Sequence, residues 1–411
     1  MRRSPGARRY PRWARSFAVP SFRLLWIGLL LQAASLGMQM VVTGWLVFEI
    51  TGSPFWTAVS SAMSMAPFFF LGPVSGAVAD RLNRVRLLLA ITAAAVLVTG
   101  AMAAVLLGGA APLWAILALT AFAGGVTAFQ TTTRQALTYD LVGPALALNG
   151  MSLNSVSFQI GLAVGSLLSG FIIAAAGAGG QFLVICLLYL WSGAVLALIR
   201  SRPATALDTP PPSILRVLRG YLAIMRRSRT LVTLMALMAL TELFGFTHMS
   251  LLPVIAKDVL GLGAVGLGVM SAVRQAGGIA ALLVLAALGD FRHKGRLLFA
   301  VMIGFGASLM ALVVSANVVW AVAVLTAATA CAMAVDALSM TLMQDNVANE
   351  ERGRAMGAWT LSIGVAPVGQ LGIGALASAI GAPQALFISG AVLLAASAAA
   401  GVGLPRIRRL A

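Results

Sequence analysis

Three ionisable side chains stand inside stretches that are otherwise apolar: Glu242, Arg274 and Asp336. A charged group in hydrocarbon costs about 3 kcal/mol or more unless it is paired or faces water, so each one needs a reason. A carboxyl group in such a place can take up and release a proton, and a guanidinium can balance its charge or hold an anion. Glu242 and Arg274 fall near the middle of their stretches at ~1.5 Å of helical rise per residue, and Asp336 falls nearer one end. All three belong to the second half of the chain, where Glu242 and Arg274 are placed to pair across adjacent helices. A structural ion pair is the competing reading. The first half offers neutral polar groups instead, Gln32, Gln39, Asn154 and Gln159, as candidates to line a substrate cavity. Gln32 and Gln39 are spaced to share one helix face, and ordinary interhelical hydrogen bonding explains them about as well.

The elements that position these groups follow from composition. Of 411 residues 60% are hydrophobic and 9% charged, and the mean hydropathy is +0.97. So little charge cannot cover a water-facing surface, so lipid is the expected solvent. Backbone groups cannot stay unpaired in lipid, which makes long apolar runs helices. A β-barrel would show short alternating segments, and none are seen. The net charge of +17 does not point to nucleic acid, because the arginines sit at the ends of apolar runs and not along one face. Cys186 and Cys331 lie inside apolar runs without partner spacing, which supports neither a disulfide framework nor a metal site.

A charged hairpin occurs twice. Gly76 to Ala90 ends one apolar run in Asp80, Arg81, Arg84 and Arg86 and at once begins another. Ala286 to Ala300 repeats it: Asp290 matches Asp80, Lys294 matches Arg84 and Arg296 matches Arg86 at one constant offset. Ala286 and Phe291 replace the glycine and the first arginine, so the second copy should be the weaker. Duplication in so apolar a chain predicts a repeated membrane bundle.

Twelve spans are expected, at 22–48, 56–79, 87–109, 113–132, 148–175 and 180–199, then 230–255, 263–288, 297–315, 318–342, 355–379 and 384–404. The parts are a basic N-terminal segment (1–21), a six-helix bundle (22–199), a linker with an amphipathic helix (200–229), a second six-helix bundle (230–404) and a tail (405–411). The linker holds Pro210-Pro211-Pro212 and then a basic helix with Ile214, Leu215, Leu218, Leu222 and Met225 on one side, suited to the membrane surface. With both termini cytoplasmic, all but Lys257 and Arg274 of the 28 Lys and Arg lie in cytoplasmic segments or at their edges. The chain then belongs in the cell membrane as a multi-pass protein. Trp45, Trp56, Trp114 and Trp320 fall at outer ends of spans, Glu49 becomes a rim charge, and His248 a polar residue of the outer half.

Two six-span halves, a long central loop and the Gly-x-x-x-Asp-Arg-x-x-Arg-x-Arg hairpin at 76–86 resemble the major facilitator superfamily. Gly44 to Pro54 and Glu350 to Gly357 are similar to the branch that holds enterobactin-type siderophore exporters and macrolide efflux proteins. The resemblance implies two six-helix bundles and a rocking-bundle secondary transporter. It also implies export of a hydrophobic or amphipathic molecule (siderophore, antibiotic or drug-like) against protons, and a monomer. The hairpin would act as a cytoplasmic latch through Gly76, Asp80, Arg81, Arg84, Arg86, Asp290, Lys294 and Arg296, with Gly76 allowing close helix approach. Gly161 to Gly170 resembles the glycine stripe of antiporters, with Ser166 and Ser169 in place of a proline and a glycine, and plain packing is its simpler reading. Gly364, Pro367, Gly369, Gly372 and Gly374 suggest a bending span. Where drug antiporters carry a fourth-span arginine, Phe122 or a neighbour stands here.

Other classes lack residues. Gly261 to Gly266 matches Gly-x-Gly-x-x-Gly, but no strand precedes it, so dinucleotide binding is set aside. There is no phosphate-binding Gly-x-x-x-x-Gly-Lys motif, no Ser/His/Asp set and no metal cluster, so neither an enzyme nor a cofactor is expected. The alternatives that stay open are an uptake or facilitated-diffusion carrier and a non-transporting membrane sensor or subunit.

Overall fold

The computed structural model describes residues 11–109, 111–199, 214–288, 291–314, 317–347, 359 and 361–410. Among them there is no strand. The helices are α1 (Pro20–Thr51), α2 (Pro54–Arg81), α3 (Arg84–Leu107), α4 (Leu113–Val142), α5 (Ala147–Ala197), α6 (Ile214–Arg227) and α7 (Arg229–Phe244). They continue with α8 (Ala264–Leu288), α9 (Lys294–Ala311), α10 (Val318–Asp345), α11 (Ala366–Ile380) and α12 (Ala382–Gly403).

Ten helical stretches are long and apolar enough to cross a membrane. One of them contains α5, which turns at Gly177 (φ 68°, ψ 179°) and so supplies two crossings. That φ suits glycine alone, and it falls in the turn expected between spans five and six. With α2 the count reaches the twelve expected. Large apolar side chains remain bare on these helices, with Leu97, Trp114, Val319 and Val402 between 73% and 80% exposed. A surface of that kind is stable against lipid and not against water.

The chain forms two compact units, Met1–Val42 with Phe70–Pro211, and Thr43–Phe69 with Pro212–Ala411. In the first, Phe22, Leu25 and Leu29 of α1 pack with Val85 and Leu88 of α3, Leu137 of α4 and Leu153 and Leu196 of α5. Helix α5 presses so closely on α1 that a Cβ on Gly165 would strike the Ala34 carbonyl oxygen. In the same seam Ser169 Oγ and Gln181 Nε2 donate to the Met38 carbonyl at 3.4 and 3.2 Å. The Gly161–Gly170 stripe is therefore used for packing.

In the second unit α9 and α12 meet through glycine on both sides, since a Cβ on Gly306 or Gly390 would lie 2.6 Å from the other's carbonyl oxygen. The end of α1 and the start of α2 (Thr43–Phe69) also belong here. Phe55 N donates to Ser378 Oγ of α11 at 3.0 Å, and the Lys257 ammonium lies over the Trp45 and Phe48 rings at 5.5 and 5.8 Å. Helix α6 forms where the amphipathic helix was expected, although the side chains of Ile214, Leu215 and Leu218 lie outside the described residues. Ser228 then caps α7 by accepting from Leu231 N at 3.2 Å.

Candidate functional site

The second unit holds a polar interior built around a broken helix. Span seven was expected as one helix over 230–255, but α7 stops at Phe244. The chain continues as a 3₁₀ turn (Phe246–Met249), a short helical turn (Leu252–Val254) and a π turn (Ile255–Val259). The break begins at Gly245, where a Cβ would collide with the Phe305 ring. Broken helices at membrane depth are tolerated where they are buried in protein or line a cavity, and in transporters they often border binding sites. Glu242 sits in the last turn before the break and His248 just after it.

Glu242 is 6% exposed and makes no hydrogen bond or ion pair among the described residues. Asp336 of α10 is within electrostatic reach of it, and Asp336 Oδ1 is buried without a partner. Arg274 of α8 is 6% exposed. One of its terminal nitrogens reaches Thr329 Oγ1 of α10 at 3.4 Å, and its Nε has no partner. His248 is wholly buried, with Nδ1 bound to the Gly245 carbonyl at 2.8 Å, so Nδ1 is the donor in that bond. Its Nε2 is buried and unpartnered, and Arg274 acts on it electrostatically.

The expected Glu242–Arg274 pair does not form here. Neighbours in sequence are not the neighbours in space: α10 packs against both α7 and α8 and carries Asp336 toward one and Thr329 toward the other. Glu242 therefore faces an acid, and Arg274 faces a hydroxyl and an imidazole.

The first-unit candidates behave differently. Gln32 is buried and donates to Thr92 Oγ1 of α3 at 3.0 Å, and Asn154 is buried and donates to Thr138 Oγ1 of α4. Gln39 and Gln159 are half-buried and make no side-chain hydrogen bond among the described residues.

At the hairpins, Arg84 pairs with Asp140 at the end of α4 and Lys294 with Asp345 at the end of α10, the latter at 2.9 Å. Arg86 and Arg296 are exposed. A Cβ on Gly76 would meet nothing within 4 Å among the described residues. The side chains of Asp80 and Arg81, all of Asp290, and the Glu350–Gly357 stretch lie outside the described residues.

Sequence reasoning ended span four at 132 and counted Arg134 as a cytoplasmic edge residue. Helix α4 continues to Val142, so Arg134 stands within it, half-buried, with its guanidinium 5.0 Å from the Phe158 ring centre of α5. The available signal was the polar but helix-compatible run Gln130 to Thr138.

The profile of a family described as transmembrane secretion effector matches residues 12–409. The chain is 24% identical over 350 residues to a Staphyloferrin A transporter of Staphylococcus aureus (strain NCTC 8325 / PS 47), covering 84% of this chain and 87% of that one. A bacterial homologue of the human lysosomal transporter Spinster, solved inward-facing and unoccupied, superposes with a TM-score of 0.73 at 15% identity over 95% of this chain and 98% of that chain. A POT family transporter in complex with 5-aminolevulinic acid gives 0.77 at 11% identity, over 94% and 96%.

Proposed function

The chain belongs to the transmembrane secretion effector family of the major facilitator superfamily, and we propose that it is a proton-coupled exporter of a hydrophobic or amphipathic small molecule, a siderophore first among the classes considered. It is a multi-pass membrane transporter and not an enzyme. Export is favoured by the family description, and a siderophore cargo by the Staphyloferrin A transporter likeness. In this reading the bundles 22–199 and 230–404 rock about the cargo in alternating access, and both termini are cytoplasmic.

The observation that carries proton coupling is Glu242, a buried, unpaired carboxyl beside Asp336 at the break in α7. A proton arriving there neutralises one acid of the pair, and its departure restores their repulsion. The ligation state of the site is thereby tied to the shape of the broken helix. Arg274 keeps a positive charge in the same interior and holds an anionic group or offsets the remaining carboxylate.

The experiment compares small molecules in cells and medium by mass spectrometry, for strains lacking the protein, expressing it, and expressing Glu242→Gln. A compound retained without the protein and released with it establishes export and names the cargo. Loss of that release in Glu242→Gln, with the protein still made, supports proton coupling. Release unchanged by Glu242→Gln overturns it.

A further inference from the structure

Between α4 and α5 of the first unit lies a seam of donors without acceptors. Gln130, Arg134 and Thr138 are four residues apart and share one face of α4, and Asn154 and Phe158 share the facing side of α5. Asn154 locks the seam at one end through Thr138 Oγ1. Further along, Arg134 stacks on Phe158 but makes no hydrogen bond or ion pair through its guanidinium among the described residues. One turn beyond it, Gln130 Nε2 is buried and unpartnered, and Thr133 Oγ1, on a wholly buried residue, also lacks a partner.

Arg84 of α3 meets an acid, Asp140 near the end of α4. Arg134 lies six residues, ~9 Å of helix, inside Asp140 and has no acid beside it. A guanidinium presents five N–H donors in a planar fork that matches a carboxylate, and an aromatic face beneath it holds the fork in place.

We propose that Arg134 and Gln130, over the Phe158 ring, form a subsite for a carboxylate group of the transported molecule. This rests on the reading of the protein as a transporter of small molecules, and it narrows the cargo to compounds that carry an acid beside their apolar part. The shared anion chemistry would also suit the phosphate of an anionic lipid.

The test uses the full-length protein in a neutral maltoside detergent, with benzoate as the carboxylate probe and benzamide as its uncharged counterpart. Benzoate should raise the thermal unfolding midpoint saturably and benzamide should not. Arg134→Gln should weaken the benzoate response by about tenfold or more, Arg134→Lys should keep part of it, and Arg84→Gln should leave it unchanged. The melting curves themselves report whether each variant is folded. An equal benzoate response in Arg134→Gln, or none in the unaltered protein, overturns the subsite. An Arg134-dependent response to phosphatidylglycerol without one to benzoate assigns the seam to lipid and overturns the cargo assignment. Neither failure touches the Glu242→Gln release experiment, which judges the export reading by itself.

Discussion

The two halves of this chain share their charged hairpins and their way of packing helices, but their polar interiors differ in kind. In the first unit the buried amides are tied to neighbouring helices: Gln32 to Thr92, Asn154 to Thr138, and Gln181 to Met38 and Ser169. Each of these amides still leaves its oxygen buried without a partner, but an amide does not titrate; in the second unit the buried unpartnered atoms include Asp336 Oδ1, Arg274 Nε and His248 Nε2, beside the buried Glu242. A neutral amide bonded to the next helix helps fix a structure, whereas an ionisable group in the interior can also change its protonation state.

The largest expected effect is on flux. Glu242→Gln should lower pH-gradient-driven transport in proteoliposomes by about tenfold or more, equivalent to ~1.4 kcal/mol at least. Gln32→Leu should leave the pH dependence of transport where it was, because its amide is bonded to Thr92 and carries no proton. Equal losses of proton coupling in both variants would erase the contrast between the units.

Packing comes next, where the halves should behave alike. Gly165→Leu and Gly306→Leu each drive a side chain into a neighbouring backbone, at Ala34 and at Gly390. Each should cost about 3 kcal/mol or more, beyond the usual 1–3 kcal/mol of overpacking where side chains can yield. Thermal unfolding in detergent measures it, and a tolerated substitution in one half alone would show that the seams are not equivalent.

Arg274 gives a sharper and smaller reading. Breaking a buried ion pair leaves a lone charge and costs about 3–5 kcal/mol. Arg274 has no carboxylate partner among the described residues, so Arg274→Gln should change stability by less than about 1 kcal/mol and should be neither rescued nor worsened by Glu242→Gln. Strong coupling between the two substitutions in a double-mutant cycle would mean that they pair in a state other than this one.

Much of the fold was legible because lipid leaves few options. Apolar length gave the spans, and Gly177 and the Pro-rich join gave the turns. The break in α7 was not legible, because no proline stands between Glu242 and His248 and the obstacle at Gly245 is a ring from α9, distant in sequence. Glu242 and Asp336 could be picked out singly, since ionisable groups in apolar runs are rare. Their proximity depends on α10 lying against α7, which hydropathy does not encode. Arg134 was hidden by its polar neighbours, which ended the apparent span at 132, before Arg134 and well short of Val142.

The hairpins supply the smallest and most local comparison. Asn83 Oδ1 accepts from Val85 N and Arg86 N at 3.1 Å each and so caps α3. The matching position in the second hairpin is His293, whose side chain makes no capping bond to α9. Losing an N-cap side chain costs about 1 kcal/mol. Asn83→Ala should therefore speed hydrogen exchange at the Val85 and Arg86 amides about fivefold, while His293→Ala should leave the first turn of α9 unchanged. The Arg84–Asp140 and Lys294–Asp345 pairs are partly exposed and worth ~1 kcal/mol at most, so removing either should not mask the difference. If both substitutions loosened their helices equally, the second hairpin would have a cap of its own in another conformation, and its weakness relative to the first would vanish.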